Sequence, residues 1–132
     1  MKQPLEDDRF CFICGEKNPI GLHIPFQLKG GTVHAEFVPA KVFQGYKNII
    51  HGGIIAAILD EAMVKSAILQ NMPAVTAEIT IRFKNPLLVE EKILIEAHID
   101  VIRRKIIEAS SLIKKTDNTI IAEANSKLIK QG

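Results

Sequence analysis

An acidic pair stands inside a helix that is otherwise largely apolar. In HGGIIAAILDEAM, residues 51–63, Asp60 and Glu61 interrupt a mostly apolar run that continues to Leu69. Glu61 has Lys65 four residues on, the spacing of an ordinary exposed helix pair. Asp60 lies about 100° away on the helical wheel and has no such partner. Asp is a poor helix former and is rarely buried alone. Burying it unpaired costs several kcal/mol or raises its pKa. Asp60 is therefore either solvated at a rim or held as a general base or nucleophile.

His51, Gly52 and Gly53 stand where this helix begins. The first helical turn carries free N–H groups and a partial positive charge. Glycines there let an anion or a developing oxyanion approach the backbone. The plainer reading is a tight loop-to-helix turn with His51 as a cap. Cys11 and Cys14 form a C-x-x-C knuckle followed by Gly15. Tetrahedral zinc would need two further ligands. His23, His34 or cysteines of another subunit are the candidates. There is no second C-x-x-C, so the expectation is no metal and a reduced, partly buried pair. Arg103, Arg104 and Lys105 form a basic turn, suited either to phosphates or to a solvated hairpin tip.

The elements that must position these groups follow from periodicity. Leu22, Ile24, Phe26 and Leu28 alternate with polar residues, as do Val33, Ala35 and Phe37. Gly30-Gly31 between them suits a two-residue hairpin that sets Leu28 opposite Val33. A helix is expected from about Gly52 to Gln70, ended by Asn71, Met72 and Pro73. A strand then places Val75, Ala77, Ile79, Ile81 and Phe83 on one face, with Thr76 and Glu78 on the polar one. The next strand faces Ile93, Ile95, Ala97, Ile99 and Val101 inward. The last two strands, joined at Asp117-Asn118, pair Ile113 with Ala122, Ser111 with Ala124 and Ala109 with Ser126. These small residues would let a helix pack closely. One helix against one largely antiparallel sheet of five to six strands is an α+β arrangement. A single sheet cannot cover a helix that is apolar all round, so a second subunit is expected.

The chain has 132 residues, enough for one domain, read as a lead-in over 1–10 and a single domain over 11–132. With 47% hydrophobic residues a sizeable core is available, and a net charge of +2 gives no general argument for nucleic acid or an anionic membrane. One Tyr and no Trp leave little for base stacking. No run of about 18 apolar residues suggests a membrane span. The polar, acidic start is unlike a signal peptide, and with two cysteines a reducing cytoplasm is expected.

The combination is more specific than its parts. HGGIIAAILDEAM resembles the signature of hotdog-fold thioesterases, in particular the phenylacetate-degradation and 4-hydroxybenzoyl-CoA thioesterase-like group. That signature is His-Gly-Gly, apolar residues, and an acidic residue nine positions after the His, here Asp60. CFICGEKNPIGLHIPF at 11–26 is similar to the N-terminal segment of one branch, and AVTAEITIRFKNPL at 74–87 to the strand after the family's helix. The resemblance implies a hotdog fold: one long central helix wrapped by a curved antiparallel sheet. It implies dimers, often paired into homotetramers, with sites at the subunit interface. It implies Asp60 as nucleophile or general base, the Gly52 N–H as polariser of a thioester carbonyl, and His51 at the helix entrance. Thr76 would supply a water-orienting hydroxyl. Gly53, Asn48, Arg103 and Arg104 would contact substrate. Coenzyme A would belong to the substrate, with no separate cofactor. Many relatives carry Asn six residues before the His; here Gly45 stands there, and Asn48 is the nearest Asn.

Three functions fit this reading. The leading one is hydrolysis of a small or medium acyl-CoA, including an aryl one, by Asp60-assisted water. The second is non-catalytic acyl-CoA binding, suggested by Gly45. The third is an enoyl-thioester hydratase or dehydratase, for which His51 with Asp60 would be the acid/base pair.

Overall fold

Each strand of the sheet is antiparallel to its neighbours, as hairpin connections allow. In a computed structural model describing residues 5–131 the elements are β1 (Gln27–Lys29), β2 (Thr32–Phe37), α1 (Gly52–Ile68), β3 (Ala74–Phe83), β4 (Ile93–Arg103), β5 (Ile106–Lys115) and β6 (Ile120–Lys130). The sheet order is β1-β2-β4-β5-β6-β3. One helix on a six-stranded antiparallel sheet is the expected α+β hotdog arrangement. Of the lead-in expected over residues 1–10, residues 1–4 lie outside the described residues. Among these, no helix is long and apolar enough to cross a membrane.

The hairpin forms on Gly30 and Gly31, whose φ values of 58° and 81° are what a primed two-residue turn demands. Leu28 pairs with Val33 as expected. The first strand is shorter than its alternation suggests. Leu22 and Ile24 are buried, but their N–H groups bond to Phe12 O and Ile13 O rather than to a strand. His23 between them sits at φ 59°, which breaks the extended run.

The β5–β6 register is the expected one: Ile113 with Ala122, Ser111 with Ala124, Ala109 with Ser126. All six are buried. The five small ones, all but Ile113, bring the helix close enough for Ser111 Oγ to donate to Leu59 O at 3.1 Å. Ile55, Ile58, Leu59, Ala62, Met63, Ser66 and Ala67 form the covered face of α1. The helix ends two residues earlier than expected, at Ile68, and Asn71 turns the chain at φ 66° before Pro73.

Two bulges overturn the plain alternation. In β4 the ladder shifts between Ile99 and Val101, so Val101 leaves the inner face and is 37% exposed. In β3 it shifts between Thr76 and Glu78. Thr76 pairs with the buried Leu128, whereas Glu78 pairs with Lys127 on the outer face. Ala77 is the extra residue. Thr76 therefore faces the helix, contrary to the polar face that strict alternation assigned it.

Candidate active site

The acidic pair on α1 is split between two neighbours. Asp60 points to β3, where Thr76 Oγ1 donates to its Oδ1 at 2.5 Å. It is half-buried, and Thr76 is its sole hydrogen-bond partner among the described residues. Oδ2 is thus left for a water or a ligand. Glu61 points to the N-terminal loop, where its Oε2 accepts from Cys14 Sγ at 2.9 Å and Cys11 Sγ at 3.3 Å. The expected Glu61–Lys65 ion pair does not form, because the loop's two thiols occupy that carboxylate. Burial and the Glu61 carboxylate push the Cys14 thiol up to about 12. Burial works to lower Lys65, but Cys14 and Glu61 outweigh it and raise it above the ordinary lysine value. Both cysteines are free thiols.

At the other end of α1, His51 is the N-cap, and its Nδ1 accepts the Gly53 N–H at 2.8 Å. That acceptor role places the ring proton on Nε2. Ile54 and Ile55 donate to His51 O. Of the orphan donors of the first turn, the Gly52 N–H is left without an acceptor among the described residues. Two open clefts flank this point. One of about 370 Å³ is lined by Ile49, Gly52, Ile55, Phe83 and Leu87, the other of about 380 Å³ by Val42, Phe43, His51 and Ile54. The larger concavity over β1, β2 and β4, about 530 Å³, is lined by His34 but by none of the residues expected to bind or cleave a thioester.

The remaining candidates lie apart. Asn48 sits at the loop tip with φ 65°, a conformation Asn tolerates well, and its N–H donates to Gln44 Oε1. A Cβ on Gly45 would lie 3.4 Å from the His51 ring, so a side chain at this position would rest on the cap. Arg103 pairs with Glu108 at 3.4 Å, and Lys130 N–H bonds Lys105 O. The basic turn thus adjoins the end of β6, near the C-terminal end of α1 and away from Gly52.

Spacing along the helix decides what one chain can do. Gly52 and Asp60 are eight residues apart, about 12 Å at 1.5 Å per residue. They cannot hold the same carbonyl. His51 is one residue further still, so one chain does not bring together the acid/base pair a hydratase would need. An outer-face cluster escaped the sequence reading. His98 Nε2 lies 2.9 Å from Asp100 Oδ1, and Ser110 donates to the same carboxylate. The serine bonds the carboxylate rather than the imidazole, so it lacks the base a nucleophile requires.

A family model of the Thioesterase superfamily matches residues 47–122. The human acyl-coenzyme A thioesterase THEM5 is 27% identical over 95 residues, 72% of this chain, and the chain spans 38% of that protein's length. Among solved structures, PaaI of the E. coli phenylacetic acid degradation operon superposes with a TM-score of 0.78 at 18% identity, over 84% of this chain and 81% of that one. Streptococcus mutans smu.793 bound to acetyl CoA gives 0.78 at 18% identity, over 89% of this chain and 97% of that one.

Proposed function

The chain belongs to the thioesterase superfamily, and we propose that it hydrolyses a small or medium acyl-CoA, including aryl ones, at a site shared by two copies. The observation that carries the proposal is the Asp60 carboxylate, half-buried in mid-helix and held on one oxygen only, by Thr76. Its free oxygen takes a proton from water as the water attacks the thioester carbonyl. The developing oxyanion is met by the Gly52 N–H and the positive end of the helix. The carbonyl carbon becomes tetrahedral, then expels the CoA thiolate, which leaves as the thiol after protonation.

Because the two groups are about 12 Å apart within one chain, the site is completed by antiparallel apposition of two α1 helices. Asp60 of one then meets Gly52 of the other, and the crossing centres on Ala56. That residue is small and half-exposed, which suits close approach. β3 supports the same pairing. It is a ten-residue edge strand whose outer side is unpaired among the described residues, a template for a second copy. Tetramers would follow from pairing two such dimers. The acyl-coenzyme A thioesterase activity for which THEM5 is named and the acetyl CoA bound to smu.793 support CoA thioesters as the substrate class. The free thiols fit a reducing cytoplasm.

The test is hydrolysis of acetyl-, hexanoyl-, phenylacetyl- and benzoyl-CoA by the wild type and Asp60→Asn. Removing the base is expected to lower kcat by roughly 10²–10⁴-fold. Equal rates in the two proteins would remove Asp60 from the mechanism. Gly45 against His51 keeps a second reading in view, acyl-CoA binding without turnover. Calorimetric binding with no hydrolysis of any member of the panel would select it.

A further inference from the structure

Cys11, Cys14 and Glu61 converge although 47 and 50 residues separate the cysteines from the carboxylate. Their ligand atoms all lie within 4.8 Å of one another. In tetrahedral zinc, with Zn–S near 2.3 Å and Zn–O near 2.1 Å, neighbouring S and O atoms stand roughly 3.6 Å apart. The observed S···O distances are 2.9 and 3.3 Å. Widening these separations by about 0.7 and 0.3 Å, within the reach of small Cys and Glu side-chain rotations, would admit an ion between them.

The loop is built to hold the two sulfurs still. Gly15 N–H donates to Cys11 O at 2.9 Å, closing the knuckle. A Cβ at Gly15 would come within 2.3 Å of Cys11 N and 2.7 Å of Arg9 O, so only glycine fits. The Ile13 N–H donates to Cys11 Sγ at 3.4 Å, a contact that favours a sulfur carrying negative charge. The buried Asn18 side chain spans the loop, from Phe10 O to the Ile20 N–H. Two thiolates and a carboxylate carry three negative charges. A divalent ion and the neighbouring Lys65 ammonium would neutralise them.

We propose that Cys11, Cys14 and Glu61 form a zinc site, with solvent as fourth ligand, that staples the N-terminal loop to helix α1. The thiolate–carboxylate set suits zinc, a borderline-soft ion, better than the hard cations magnesium or calcium. The ion would clamp the helix one residue from Asp60. The site stands independently of the thioesterase reading, because none of its ligands takes part in the proposed hydrolysis.

The test uses the full chain, reduced and stripped of metal, titrated with zinc against a chromophoric chelator and with cobalt followed by absorption. The expected result is one ion per chain, a sulfur-to-cobalt charge-transfer band and the intense visible bands of a tetrahedral ion. Cys14→Ser should abolish stoichiometric binding. Glu61→Gln, at a half-exposed position whose loss leaves the core intact, should weaken it by about tenfold or more. No stoichiometric uptake by the wild type would overturn the proposal. An unchanged affinity in Glu61→Gln would do the same, as would half an ion per chain with a four-thiolate spectrum.

Discussion

Thr76 Oγ1 donates to Asp60 Oδ1 at 2.5 Å, joining the edge strand of the sheet to the middle of its helix. The bond exists because one extra residue in β3, Ala77, turns Thr76 inward. A bulge beside a candidate base is a common way of aiming a side chain. Here it fixes one oxygen of the carboxylate and leaves the other without a partner among the described residues.

Thr76→Val keeps the shape and removes the hydroxyl. The expected outcome is a 10- to 100-fold fall in kcat for acyl-CoA hydrolysis with KM nearly unchanged, and a stability loss of about 1 kcal/mol. Thr76→Ser should restore most of kcat. Steady-state kinetics beside urea unfolding would check this; a valine variant with undiminished kcat would show that Asp60 needs no such support.

His51 is a helix cap, so its replacement separates capping from chemistry. His51→Ala should cost about 1 kcal/mol of stability, and His51→Asn, a good N-cap, should cost much less. If capping is its whole role, the Asn variant retains wild-type kcat/KM. Thermal unfolding and kinetics on both variants give the answer, and loss of activity in a fully stable Asn variant would assign the imidazole to substrate contact.

Glu78 and Arg82 lie exposed on the unpaired edge strand. If the proposed dimer pairs β3 with its copy about Thr80, Glu78 stands opposite Arg82 twice. Glu78→Arg should therefore weaken the dimer by about tenfold, since like charges directly opposite are destabilising. The double variant Glu78→Arg/Arg82→Glu should recover it. Sedimentation velocity across a dilution series reads both; failure of the double variant to recover would mean another register.

The small residues under the helix make a core prediction. Ala124 is buried and pairs with Ser111 beneath α1. Ala124→Leu should lose roughly 1–3 kcal/mol by overpacking. Chemical denaturation would measure it, and a neutral effect would mean that the helix rides further from the sheet than the 3.1 Å Ser111–Leu59 bond implies.

Much of this molecule is legible in its residues. Gly30-Gly31, the helix from Gly52, the β5–β6 register and the Asp60 anomaly are all local signals, because turn chemistry and side-chain alternation act over a few residues. The expectation of more cover than one sheet can give also rests on the helix's composition alone. What only the tertiary structure decided is where side chains point across distance. Ala77 is indistinguishable from a regular strand residue until β6 sets the register, so the inward turn of Thr76 was hidden. Glu61 read as a partner of Lys65 because i, i+4 spacing is all that a sequence displays. Its true neighbours arrive from residues 11 and 14, carried there by a loop whose path is set by packing on the helix rather than by any local pattern.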